Sequence, residues 1–190
     1  MIRRPPRSTH CISSAASDVY KRQMVIYVGS FSKLIAPGLR LGFFTASNEV
    51  IDRALSVKVG SGPNQFAAYA VDGYLRSNLE EQKSNYDKIL KEKKESMEKG
   101  LQEVFSGTNA KWSSPQGGCY TWFEMTDGKN LSEIRDEVFN RGVGYIAGDM
   151  FAPNGDGQNM ARLCFAFEPI EKNYEGIIEL GSIFKDLNVI

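Results

Sequence analysis

Residues 28–42 read VGSFSKLIAPGLRLG and bring several strong hydrogen-bond donors into one short loop. Ser30 and Ser32 bracket Phe31, Lys33 follows at once, and Arg40 lies seven residues beyond the lysine. Pro37-Gly38 permits a sharp reversal that would bring Arg40 back beside the serines. Two hydroxyls and a planar guanidinium suit a phosphate dianion. A lysine next to a bound phosphate and an aldehyde can form a Schiff base. The plain alternative is a solvated surface lysine, one of thirteen in the chain. A Walker-type phosphate loop fits poorly, because the Gly-x-x-x-x-Gly-Lys pattern is absent.

Other chemistry is sparse. His10 is the only histidine and lies near the N-terminus, so a Ser-His-Asp triad, a Cys-His pair and a histidine metal site are excluded from the rest of the chain. Cys11, Cys119 and Cys164 lack metal-type or redox-type spacing, and no metal site is expected. An odd, sparse set of cysteines fits a reducing compartment. Net charge is zero, but residues 1–23 carry five basic side chains against Asp18 alone, or +4, so the remainder sums to −4. An acidic remainder argues against nucleic-acid binding in this segment. No apolar run approaches the length of a membrane span.

Elements must hold the loop in place. Residues 25–28 form a short apolar, β-branched run that reads as a buried strand, and residues 41–45 read as a second strand. Asn48 is a candidate N-cap for a helix to about residue 59. After a break at residues 60–62, Pro63 suits the first turn of a helix to about residue 76. A separate long, charged helix is expected over residues 79–105, with Leu79, Tyr86, Leu90, Met97, Leu101 and Val104 as its apolar stripe. Strands are expected at 111–113 and 120–124 around a turn at 115–118, then a helix at 131–141. Strands at 143–146 and 162–167 follow, and a helix at 170–184 closes the chain. The order gives an α/β part followed by an α+β part. Residues 1–23 have no periodicity and read as a non-native or disordered leader, similar to a translated sequencing adapter, with a transit peptide or native linker as alternatives.

The string GSFSKLIAPGLRLG is similar to the active-site signature of fold-type-I, class I/II aminotransferases. It is closest to the branch containing 2-aminoadipate and aromatic aminotransferases and the aminotransferase-like domains of MocR-type regulators. The resemblance implies pyridoxal 5'-phosphate as cofactor, held by Lys33 as a Schiff base, with Ser30, Ser32 and Arg40 on its phosphate. Two further stretches match in order. SPQGG at 114–118 followed by YTW resembles the glycine-containing strand entry near the substrate, which implicates Gly118; by itself it reads as a hairpin turn. NMARLCF at 159–165 resembles the segment whose arginine clamps the substrate α-carboxylate, which implicates Arg162; by itself, an arginine opening a strand reads as an edge salt bridge. GVGYIAG at 142–148 with Phe151 resembles the loop before the active-site entrance, although Ala147 stands where a proline is common.

The resemblance covers residues 24–190 and begins in mid-domain. It implies residues 24–78 as the end of a large cofactor-binding domain with an incomplete sheet, and residues 79–190 as a linking helix plus a small α+β domain. The family's earlier half normally supplies an aromatic stacked on the cofactor ring and an Asp at the ring nitrogen, and no Asp here has a matching context. The implied activity is amino-group transfer between an amino acid and a 2-oxo acid in a cytoplasmic homodimer, with no membrane or nucleic-acid partner. The alternatives are a ligand-sensing domain of a MocR-type regulator, or a fragment inactive by itself.

Overall fold

The computed structural model describes residues 25–60 and 62–190, so the expected leader at residues 1–23 lies outside the described residues. The chain is mixed α/β and divides between Ser84 and Asn85 into two compact units. No helix among the described residues is long and apolar enough to cross a membrane.

In the first unit, β1 (Tyr27–Ser30) and β2 (Gly42–Thr45) pair as an antiparallel hairpin. Both strands lie within about two residues of their expected positions, but the expectation of a buried strand is corrected. Ile26 is 52% exposed and Val28 73%, and among the described residues β1 pairs with β2 alone. The helix α1 (Asn48–Val57) begins one residue earlier than expected: Ser47 occupies the N-cap and Asn48 is already helical.

The two helices expected over residues 63–105 are one helix, α2 (Gln65–Phe105), of 41 residues. Pro63 precedes it, and Asn64 accepts a hydrogen bond from the Ala67 N–H at 3.1 Å. The expected interruption near residue 77 fails for a physical reason. Ser77 and Asn78 are weak helix formers, yet neither forces a break, and Asn78 donates back to the Tyr74 carbonyl at 2.8 Å. Arg76 and Asp72 add an exposed i,i+4 ion pair.

The second unit is built on a four-stranded antiparallel sheet of order β3-β4-β6-β5. Its strands are β3 (Ala110–Trp112), β4 (Tyr120–Met125), β5 (Ile146–Ala147) and β6 (Met160–Cys164). The strand expected at 143–146 shrinks to two residues. Tyr145 turns inward to donate from its hydroxyl to the Leu131 carbonyl at 2.6 Å, and burial keeps that phenol protonated by raising its pKa. The helix α3 (Leu131–Asn140) is capped by Asn130, whose side chain accepts from the N–H groups of Ser132 and Glu133. The closing helix is α4 (Ile170–Asp186).

The helices cover one face of this sheet. Thr121, Phe123 and Met125 of β4 alternate inward with Ala161 and Leu163 of β6. They pack against Leu101 and Phe105 of α2, Leu131 and Val138 of α3, and Ile177, Leu180, Ile183 and Phe184 of α4. Phe105, Phe123 and Phe184 form a mutual edge-to-face cluster with centroids 4.9–6.2 Å apart. α2 and α4 meet through glycines. A Cβ on Gly100 would lie 3.0 Å from Ile177 Cβ, and one on Gly181 would overlap the branched side chain of Val104. Gly181→Ala is therefore expected to destabilise the chain by about 1–3 kcal/mol through overpacking. A urea-unfolding midpoint equal to that of the unmodified chain would show that the helices separate without cost.

Candidate functional site

The first group of candidate residues sits at the open end of the β1–β2 hairpin. Ser30 pairs with Gly42, and beyond that pair Phe31 N–H donates to the Leu41 carbonyl at 3.1 Å. Ser32 and Arg40 occupy the next positions on the two arms. The reversal expected from Pro37-Gly38 is a short 3-10 helix, Pro37–Leu39, and Arg40 closes it in the left-handed conformation at φ 50°. That conformation costs a non-glycine residue about 1–2 kcal/mol. Arg40 has no acidic partner among the described residues, and its guanidinium reaches only the Pro37 carbonyl at 3.5 Å. Ser30 Oγ accepts from the Ser32 N–H at 3.1 Å. The hairpin closes tightly because Gly29 leaves room for the Phe43 ring, and a Cβ on Gly42 would meet the Gly29 carbonyl oxygen at 2.8 Å.

Lys33 lies on one helical turn between the arms, closed by the Ile35 N–H donating to the Phe31 carbonyl at 2.8 Å. Its side chain is exposed, with no ion pair or hydrogen bond among the described residues. The sequence reading missed what holds this turn. Gln82 of α2 donates to the Leu34 carbonyl at 3.0 Å, and Tyr74 donates to Gln82 Oε1 at 2.9 Å. A tertiary bond across 48 residues leaves no local pattern to find. Gln82→Ala is expected to leave the helix intact and to loosen the lysine turn, with faster amide hydrogen exchange at residues 31–35. Unchanged exchange there would mean that the hairpin alone fixes the turn.

The second group belongs to the second unit. Tyr120, Trp122, Arg162 and Cys164 alternate onto the sheet face opposite the core. Trp122 and Arg162 are cross-strand partners, as are Tyr120 and Cys164, and Ile146 stands on the other side of Arg162. The Arg162 guanidinium lies over the Tyr120 ring, 4.1 Å from its centroid, and over the Phe151 ring at 4.4 Å. Trp122 meets Phe151 edge-on at 5.5 Å. Arg162 has no acidic partner among the described residues, and its Nε is buried without a hydrogen-bond partner. An orphaned buried donor of that kind is costly unless a ligand accepts from it. The arrangement differs from the edge salt bridge that an arginine at this position would otherwise suggest.

Phe151 ends a short 3-10 helix, Gly148–Phe151. A Cβ on Gly148 would lie 2.5 Å from the Gly157 carbonyl oxygen and 2.7 Å from Met160 Cβ, so this turn tolerates no side chain there. Gly118 has φ +86° in the turn before Tyr120, with no atom within 4 Å of an added Cβ. It is needed for the shape of that turn. Ser30, Ser32, Lys33 and Arg40 are thus gathered in one unit, and Gly118 and Arg162 belong to the other. Among the described residues no cluster of His, Cys, Asp and Glu could hold a metal ion.

Comparisons with known proteins bear on both groups. The family model for aminotransferase class I and II matches residues 7–176, beginning within the segment read above as a leader. Aromatic-amino-acid aminotransferase 1 of Thermococcus litoralis is 32% identical over 85% of the chain, which spans 39% of that protein. The HTH-type transcriptional regulator YdfD of Bacillus subtilis, uncharacterised, is 26% identical over 88% of the chain, which spans 35% of it. The crystal structure of the alpha-aminoadipate aminotransferase LysN from Thermus thermophilus, complexed with N-(5'-phosphopyridoxyl)-L-leucine, superposes with a TM-score of 0.83. It is 27% identical, covering 93% of this chain and 46% of that one.

Proposed function

The chain belongs to the aminotransferase class I and II family, and from that premise we propose that it carries the cofactor lysine and the carboxylate-binding sheet of a pyridoxal-phosphate-dependent aminotransferase. The reaction is amino-group transfer between an amino acid and a 2-oxo acid. The observation that carries the proposal is the donor set at the hairpin end: two serine hydroxyls and a guanidinium without an acidic partner, beside a lysine without a partner, among the described residues. This set fits a phosphorylated aldehyde, since the phosphate takes the hydroxyls and the guanidinium fork while the amine meets the carbonyl carbon.

When bound, pyridoxal phosphate supplies an electron sink for the pair left at the substrate α-carbon. Ser30, Ser32 and Arg40 bind the phosphate. Lys33 Nζ would hold the cofactor and would move the proton at the substrate α-carbon. Arg162 binds the substrate carboxylate through its N–H fork and orients the α-carbon bond to be broken. The rings of Tyr120 and Phe151 exclude water from that ion pair. The reading assigns residues 24–78 to a large domain and 79–190 to a linking helix and small domain, in a cytoplasmic homodimer. A second reading, a ligand-sensing domain without turnover, is favoured by the match to the HTH-type regulator.

The test is to incubate the 190-residue chain with pyridoxal phosphate, reduce with borohydride and map the modified lysine by peptide mass spectrometry. Preferential modification at Lys33 supports the proposal, and modification spread over surface lysines overturns it. Amino-group transfer to 2-oxoglutarate, assayed in an assembly that contains the chain, then separates the two readings. For the 190 residues alone we expect cofactor capture without multiple turnover, because the described residues of the first unit offer phosphate donors but no aromatic or carboxylate that the resemblance places on the cofactor ring.

A further inference from the structure

The second unit has three arginines, and two of them are committed: Arg135 pairs with Asp136 and Arg141 with Asp186. Arg162 alone is held by rings. We infer that Tyr120 and Phe151 are positioning residues that fix the Arg162 guanidinium in the orientation a carboxylate needs, an inference that rests on the carboxylate role proposed for Arg162.

Arginine is a flexible side chain. Its long stem has many rotamers, and ordering them at the moment of binding subtracts from affinity. On this sheet face the order is present beforehand. The guanidinium carbon lies 4.1 Å from the Tyr120 centroid and 4.4 Å from that of Phe151, well within the range of a cation–π contact. Such contacts take up space above the guanidinium, whereas its N–H bonds radiate in its plane. The rings therefore restrain the cation without consuming its hydrogen bonds, and Nε remains unpartnered. A carboxylate neighbour would have restrained the cation equally well but would have competed with the ligand.

The rings are themselves held. Tyr120 is in β4, hydrogen-bonded into the sheet. Phe151 is in a turn, fixed at one end by the close approach of Gly148 to Gly157 and Met160, and met edge-on by Trp122 at 5.5 Å. Phe151 is 44% exposed, so its ring does little for the core. The ring face is what matters at 120 and 151, and neither the tyrosine hydroxyl nor side-chain volume alone can substitute for it.

Cys164 provides a readout that needs no turnover. It is exposed, and it is the cross-strand partner of Tyr120 on the face that carries Arg162. Iodoacetate carries a carboxylate and iodoacetamide does not, so the ratio of their alkylation rates at Cys164 measures carboxylate capture by the neighbouring cation. The ratio is read by peptide mass spectrometry on the full chain. Arg162→Ala is expected to collapse it. Phe151→Leu and Tyr120→Leu are each expected to lower it by roughly two- to fivefold, the effect of losing a partly exposed cation–π contact. Phe151→Tyr and Tyr120→Phe are expected to retain it. If Arg162→Ala collapses the ratio and both leucine variants leave it unchanged, the positioning role is overturned and the carboxylate role stands. If Arg162→Ala leaves the ratio unchanged, the carboxylate role falls, and the positioning role with it. If Phe151→Tyr lowers the ratio as far as Phe151→Leu, the turn rather than the ring face matters at that position. In that event the Tyr120 pair, on a hydrogen-bonded strand, decides the inference.

Discussion

Lys33→Ala is expected to remove the preferential site of borohydride trapping, leaving only slow modification scattered over surface lysines, and to abolish multiple turnover in any active assembly containing the chain. The expectation is nearly all-or-none, because among the described residues no other lysine stands beside such a set of serine and arginine donors. Lys83, Lys91, Lys94 and Lys172 are held in ion pairs along helices. Lys93 donates to the Ala166 carbonyl and Lys129 to the Asn188 carbonyl. Lys33 stands on a turn beside Ser30, Ser32 and Arg40, with its amine unpartnered among the described residues. Being exposed, it contributes little packing, so the substitution should leave the circular-dichroism spectrum and unfolding midpoint unchanged. Pyridoxal, which lacks the phosphate, provides the control. If the hydroxyls and guanidinium create the selectivity, pyridoxal phosphate will label Lys33 preferentially and pyridoxal will not, and Ser30→Ala with Arg40→Ala will erase the difference. Equal labelling by the two aldehydes in the unmodified chain would leave Lys33 a surface lysine.

The sequence revealed these two sites unevenly, for physical reasons. The hairpin site was legible because its chemistry is local: Ser30, Ser32, Lys33 and Arg40 lie within eleven residues, and Pro37-Gly38 marks the reversal between them. The bond that holds the lysine turn, from Gln82 to the Leu34 carbonyl, was not legible, since the partners are 48 residues apart and each looks ordinary in its own window. Arg162 was marked by the resemblance of its strand, but its ring partners come from β4 and from the 148–151 turn and meet it only through sheet register. Among the elements, α3 and α4 lie within two residues of their expected bounds, and the structure places Asn130 and Pro169 at their N-caps. The division expected within α2 failed because low helix propensity at Ser77 and Asn78 cannot end a helix whose backbone bonds remain intact. The short β5 was overestimated because the apolar pattern could not show that Tyr145 faces the core for its hydrogen bond to Leu131.

Arg162→Ala is expected to weaken binding of an amino acid and of its 2-oxo acid together, by roughly 2–5 kcal/mol and nearer the lower figure because the side chain is only half-buried. The common loss follows from what the two ligands share. Both carry a carboxylate at the α-carbon, whereas only one carries an amine, so a group that reads the carboxylate must affect both. Arg162→Lys is expected to recover little of the loss. A lysine keeps the charge but lacks the two parallel N–H donors, and its compact ammonium is more strongly hydrated beside the rings of Tyr120 and Phe151. Trapping of pyridoxal phosphate at Lys33 is expected to be unaffected, which separates this role from cofactor binding. Titration calorimetry with an amino acid, its 2-oxo acid and the matching amine without a carboxylate measures all three terms. If both acids bind Arg162→Ala as tightly as the unmodified chain, Arg162 is a structural residue of the sheet edge. If the amine loses as much affinity as the acids, the substitution has disturbed the Tyr120–Phe151 face rather than removed a carboxylate partner.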